Sequence, residues 1–144
     1  MIRTEFKEIA MKKTERSIIV LAMCILASTS FATNRADITR RYLEWDRYYK
    51  GHDVSALGRI LSPTFQLLTG SGKTISRSDY VASLGKSMPP TNYHTKLLHM
   101  KRKGSRVEAF TEEVSGQHIH HYNDKWERVK GKWLLVSSKT LDEN

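Results

Sequence analysis

Cysteine is nearly absent: Cys24 is the only one in 144 residues. A disulfide framework and a multi-thiolate metal centre are thereby excluded. With three prolines and eight glycines the chain is neither collagen-like nor low-complexity. No apolar run reaches the roughly 20 residues of a membrane-spanning helix; the longest uncharged, mainly apolar stretch, Ser17–Ala27, is about half that. Acidic residues are in the minority, 15 against 24 Lys and Arg, for a formal charge of +9. No Ser-His-Asp order, phosphate loop or glycine fingerprint occurs; Gly70-Ser71-Gly72-Lys73-Thr74 is a bare turn. Against these absences, 39% hydrophobic and 27% charged residues suffice for one globular core.

Residues 11–32 read as an export signal. Lys12, Lys13 and Arg16 form a basic start, Ser17–Ala27 the apolar centre, and Ser30-Phe31-Ala32 a small-residue cleavage site. Residues 11–32 are therefore expected to be a signal peptide, with translation starting at Met11 and residues 1–10 a mis-assigned start. Leu21-Ala22-Met23-Cys24 only distantly resembles a lipoprotein box, since Met23 stands where a small residue is wanted. Cleavage after Ala32 leaves a mature domain, 33–144, with no cysteine. It is expected in the periplasm or secreted, with no stable membrane insertion. Its basic residues are scattered apart from Arg40-Arg41 and Lys101-Arg102-Lys103, so no nucleic-acid partner is expected.

The mature chain opens with helical patterning. Ile38, Tyr42, Trp45 and Tyr49 recur at intervals of four and three, the stripe of an amphipathic helix over 37–50 that Gly51 ends. Asp53 caps a short second helix stopped by Pro63. Phe65–Thr69 is a strand, and Ser76 with Asp79 caps a third helix that reaches about Lys86. From Tyr93 onward four strands follow, separated by turns at Gly104-Ser105, Ser115-Gly116 and Lys130-Gly131. Helices followed by an antiparallel meander make the class α+β.

Two-residue loops set a register. Met100 is expected opposite Ala109, Leu98 opposite Thr111, Ala109 opposite Tyr122, Glu113 opposite His118, Trp126 opposite Leu135 and Asp124 opposite Ser137. One face then carries Leu98, Met100, Thr111, Glu113, His118, His120, Tyr122, Asp124, Trp126 and Trp133. The other carries Leu97, Phe110, Val114, Ile119, Leu134 and Val136, an apolar face that a homodimer would cover.

Three segments together resemble the nuclear transport factor 2-like superfamily, in particular its SnoaL-like branch. They are Tyr48–Asp53 running on to Leu61-Ser62-Pro63-Thr64-Phe65, Gly72–Ser76 before Asp79-Tyr80, and Asp124–Arg128 followed by Gly131-Lys132-Trp133. The resemblance spans nearly all of 36–140. It implies a cone-shaped barrel, cystatin-like, with N-terminal helices packed on a curved antiparallel sheet. It also implies a small-molecule site or no catalysis at all, because the superfamily holds isomerases, dehydratases, cyclases and binding domains. Of the ketosteroid isomerase residues, the helix tyrosine falls on Trp45 and the base on Thr69; only the second acid is matched, by Asp124. Isomerase chemistry is not expected.

The expected site combines His118, His120 and Asp124 as polar or catalytic groups with Tyr42, Trp45, Tyr49, Phe65, Met100, Tyr122, Trp126 and Trp133 as a ligand-binding wall. The ligand would be a small apolar or amphipathic molecule, with no cofactor. His118, His120 and Glu113 could serve as an acid–base pair, as ligands to a metal, or as a hydrated strand end. A lyase- or hydrolase-like enzyme and a non-catalytic interaction domain are the alternatives to a binding protein.

Overall fold

In the computed structural model the described residues are 35–142. The expected start at Met11, the signal peptide, its cleavage site and Cys24 all lie outside them.

Helix α1 covers residues 35–50 and buries the expected stripe: Ile38, Tyr42 and Trp45 are in the core and Tyr49 is half-buried. It ends before Gly51 as expected, but the glycine does not supply the left-handed turn. The left-handed residue is His52, at φ 54°. The His52 N–H bonds the Tyr49 carbonyl at 3.0 Å and the Asp53 N–H bonds the Tyr48 carbonyl at 2.8 Å. This is the paired closure of a Schellman motif, usually built on glycine. Asp53 then caps α2 (Val54–Ile60), its carboxylate accepting from the Ala56 N–H at 2.9 Å. Helix α3 (Arg77–Lys86) is capped as expected, the Ser76 hydroxyl accepting from the Asp79 N–H.

Six strands form one sheet: β1 (Leu61–Leu68), β2 (Thr74–Ser76), β3 (His94–Lys103), β4 (Arg106–Ser115), β5 (His118–Val129) and β6 (Lys132–Thr140), in the order β2-β1-β6-β5-β4-β3. The meander β3–β6 is antiparallel as expected, but the sheet is mixed, because β1 lies parallel to β6. Pro63 falls inside β1 rather than at the end of α2. It is exposed, within the stretch where pairing with β6 shifts between Leu61 and Gln66, so its missing N–H removes no ladder bond.

Three details of the register depart from the expectation. Gly116, at φ 67°, is the first loop residue rather than the second, so Ser115 still pairs with His118. The β4–β5 pairing therefore moves by two: Glu113 faces His120, Thr111 faces Tyr122 and Ala109 faces Asp124. A shift of two preserves which face each side chain occupies. Between Leu97 and His99 a bulge in β3 places Leu97, not Leu98, opposite Thr111. Leu97 thus packs against the core while Leu98 is 43% exposed. A second irregularity between Lys125 and Trp126 puts Ser138, not Ser137, opposite Asp124.

The core lies on one face of the sheet, beneath the helices, and includes Ile38, Tyr42, Leu57, Phe65, Met100 and Trp126. A buried carboxylate pins α1 to β3: Asp46 accepts from the Thr95 N–H at 2.9 Å and from the Thr95 hydroxyl at 2.7 Å. Replacing it by alanine strands both donors at a half-buried position. Asp46→Ala is expected to cost about 1–3 kcal/mol in urea denaturation, and Asp46→Asn, which keeps an acceptor, distinctly less. An unchanged midpoint for Asp46→Ala would show that this bond does not hold the helix in place.

Candidate functional site

Two hydrogen-bonded chains of the same design run beneath the helices. In one, the Trp126 indole N–H donates to the Tyr42 hydroxyl oxygen at 2.8 Å, and that hydroxyl donates to Asp124 Oδ2 at 2.7 Å. In the other, the Trp45 indole N–H donates to the Tyr93 hydroxyl at 3.0 Å, and Tyr93 donates to Glu113 Oε2 at 2.7 Å. The direction is forced. An indole can only donate, so each phenol accepts from it and turns its own proton toward the carboxylate. Helix α1 supplies Tyr42 and Trp45 one turn apart, and strand alternation supplies Thr111, Glu113, Asp124 and Trp126 on the covered face.

These groups border an internal recess of about 40 Å³, walled by Trp45, Phe65, Tyr80 and Trp126 and reached by the carboxyl groups of Glu113 and Asp124. That volume has room for a few heavy atoms, well short of the roughly 300–1,000 Å³ of a drug-sized pocket. Half-buried Glu113, Thr95 and Tyr122 mark the side facing solvent.

Burial raises both carboxyl pKa values. For Asp124 the loss of hydration lifts it to about 6, opposed by hydrogen bonds from Ser138, Tyr42 and Thr111. For Glu113 the same cause lifts it to about 7, opposed by the Tyr93 hydroxyl and reinforced by the negative charges of Asp124 and Asp46. Neither carboxyl takes part in an ion pair among the described residues. Burial and the neighbouring carboxylates also raise the phenols of Tyr42, Tyr80, Tyr93 and Tyr122.

Of the residues expected at the site, Tyr42, Trp45, Phe65, Tyr122, Asp124 and Trp126 border the recess. Tyr49 lies behind it, its ring edge-on to Tyr93 at 4.4 Å between centroids. Met100 and Trp133 are core residues away from the lining. His118 and His120 are not in the lining either. Their rings stack 6.2 Å apart toward the solvent end of β5, with His120 6.5 Å from Tyr122. The expected Glu113–His118 pairing is not formed, because the hairpin register puts His120 opposite Glu113 and the carboxyl bonds Tyr93. Among the described residues no group of three or more His, Cys, Asp and Glu is placed to hold a metal ion.

Tyr80 and Tyr93 escaped the sequence reading. Tyr80 sits four residues before the buried Leu84 on α3, a spacing that marks a shared helix face. Tyr93 precedes β3, outside any periodic run, and only the folded structure reveals its partner.

The fold can be matched to solved structures. The chain resembles a nuclear transport factor 2-like protein of unknown function from Silicibacter pomeroyi, with a TM-score of 0.67, 16% identity, and coverage of 76% of this chain and 96% of that one. A nuclear transport factor 2-like protein from Cytophaga hutchinsonii gives 0.65, 14%, 74% and 95%. A Mycobacterium tuberculosis protein of unknown function gives 0.69, 10%, 81% and 76%. No family model and no curated protein matches the sequence. The chain therefore has the nuclear transport factor 2-like α+β fold.

The raised carboxyl pKa values carry a sign for stability. Between the unfolded pKa near 4.5 and the folded value near 7, the folded state holds a proton on Glu113 that the unfolded chain has released. The stability it contributes is full below pH 4.5 and is lost as pH rises through 7. Glu113→Gln is accordingly expected to raise Tm at pH 8 and to flatten the fall in Tm between pH 5 and 8, read by calorimetry. A wild-type Tm that changes with pH across that range no differently from the variant's would refute the assignment.

Proposed function

We propose that this domain binds a small molecule in the aromatic recess, with Glu113 as the polar anchor. The observation that carries the reading is the setting of that carboxyl. It borders a recess walled mainly by aromatic rings, holds one tyrosine hydroxyl, and takes part in no ion pair among the described residues. A wall of aromatic rings with one or two oriented polar groups is the usual division of labour at a ligand site. The small volume restricts the ligand to a few heavy atoms, or to a larger molecule that enters by its head past Tyr122. His118 and His120, on the solvent side of Tyr122, would meet only the outer part of such a molecule.

All three tryptophans are buried and two of them border the recess, so the ligand has a built-in reporter. Protein isolated from its native host is expected to carry a bound mass in native mass spectrometry. Glu113→Gln should lose that mass while keeping its circular dichroism. A mass retained in Glu113→Gln, or no bound mass together with no tryptophan response to a panel of small amphiphiles, would set the reading aside.

Acid–base catalysis is the second reading, supported by two carboxyl groups raised toward neutrality in one recess. Asp124 is the less free of the two, because Tyr42, Thr111 and Ser138 all donate to it. Glu113, held through Oε2 alone, would be the proton carrier.

We further propose that the protein is exported and works as a homodimer. Export is supported by residues 11–32. A dimer is supported by the sheet face turned away from the helices, where Phe110, Val114 and Leu134 are half-buried and Ile119 is 56% exposed. Leu97 no longer belongs to that face, and Glu108, Asn123 and Lys125 interrupt it. Envelope fractions are expected to yield a chain beginning at Thr33 with twice the mature mass by light scattering. A cytosolic chain with an intact Met11, or a monomer at micromolar concentration, would overturn the respective proposal.

A further inference from the structure

We infer that the recess is built for the protonated head of a small amine, which Glu113 receives. The inference rests on the binding reading above and names its ligand class. Three observations converge on it.

The first is the forced polarity of the two hydrogen-bonded chains. Trp126 and Trp45 commit the Tyr42 and Tyr93 hydroxyls to donating into Asp124 and Glu113. The Thr95 hydroxyl is committed to Asp46 and the Thr111 hydroxyl to Asp124. That leaves the Tyr80 and Tyr122 hydroxyls as uncommitted donors at the recess and Glu113 Oε1 as an uncommitted carboxylate oxygen, so a ligand that meets Oε1 must bring a donor of its own.

The second is charge. Asp124 is only 5% exposed, Glu113 is half-buried, and neither has a cationic partner among the described residues. A buried carboxylate without a cation is costly, and a bound cation removes that cost. The third is the wall. Trp45 lies parallel to Tyr80 at 6.3 Å and Phe65 sits 5.3 Å from Tyr80, so ring faces and edges surround the space. Aromatic faces attract an ammonium and give a neutral polar head little. A quaternary ammonium would satisfy the rings alone. Glu113, whose Oε2 is taken by Tyr93, leaves Oε1 for an N–H, which favours a protonated amine.

Affinity should depend on pH through several groups. Glu113 is faced by Tyr93 ahead of β3, by Asp46 and Tyr49 on α1, by Tyr80 on α3, and by Tyr122, Asp124 and His120 on β5. Protonating Glu113 or Asp124 removes the attraction. Each makes an ammonium bind more weakly at pH 5 than at pH 8.

The test uses n-propylammonium chloride and 1-propanol, which match in heavy-atom count and differ in charge. The readout is the indole N–H signals of Trp45 and Trp126 in a nitrogen–proton correlation spectrum. At pH 8 the ammonium is expected to shift them with an affinity at least about 10-fold above that of the alcohol, the worth of one charge-assisted hydrogen bond. Lowering the pH to 5 should erase that preference in the wild type and in His120→Gln alike. Glu113→Gln should erase it at pH 8, and Glu113→Asp, which keeps the charge, should retain part of it. Equal shifts from alcohol and ammonium would overturn the amine inference and leave the pocket reading standing. No indole shift from either probe would remove both.

Discussion

The Tyr42–Asp124 hydrogen bond is the constraint on which the rest of the site depends. It joins the first helix to the fifth strand inside the core, 82 residues apart in sequence, at 2.7 Å. A phenol and a carboxylate buried together are tolerable only if every polar atom finds a partner. Trp126 provides the phenol's donor, while Thr111 and Ser138 complete the carboxylate. These partners bring α1, β4, β5 and β6 into one arrangement, and a rotation of α1 by a single residue would break the set. The same rotation would carry Trp45 away from Tyr93 and leave the Tyr93 hydroxyl without the indole donor that orients it toward Glu113.

Much of this framework is legible before folding. The stripe of Ile38, Tyr42, Trp45 and Tyr49, the caps at Asp53 and Ser76, and the turns at Gly104 and Lys130-Gly131 all follow from local chemistry, and all are present. What stayed hidden is long-range or turns on a single residue. Whether Gly116 stands first or second in its loop changes no local preference, yet it moves Glu113 from His118 to His120. The bulge at Leu97–His99 exchanges Leu97 for Leu98 in the core, although both are leucines and the sequence offers no reason to choose. The parallel pairing of β1 with β6 joins segments more than 60 residues apart and leaves no periodic trace. Asp124 and the aromatic lining were readable because strand alternation survives a two-residue slip. The partnership of Glu113 with Tyr93 was not, because it joins a loop residue to a strand.

The recess is small because the residues that suggest a ligand also fill the space for one. Trp45, Tyr80, Phe65 and Trp126 each place a ring into the gap between helices and sheet, leaving about 40 Å³. Ordinary aromatic core packing would account for the rings by themselves. It would not account for two carboxyl groups at the same place, since each costs desolvation that an apolar residue of similar size would avoid. Asp124 is explained structurally, as the acceptor that closes a three-donor network. Glu113 is not: one tyrosine proton satisfies one of its oxygens, and its other oxygen serves no structural bond identified among the described residues.

That difference separates the two carboxyls in what they can do. A group whose hydrogen bonds are complete is held in one orientation, so it positions others. A group with an acceptor in reserve, at the half-buried edge of an aromatic space, can take a donor from outside without breaking anything already formed. The histidines farther along β5 carry no such tension, since His118 is exposed, His120 is half-buried, and the two rings stack on each other outside the recess. A His-x-His pair on a strand is the more visible motif in the sequence. The fold puts the unbalanced group three residues before the loop that precedes it, at Glu113, where desolvation and incomplete pairing coincide.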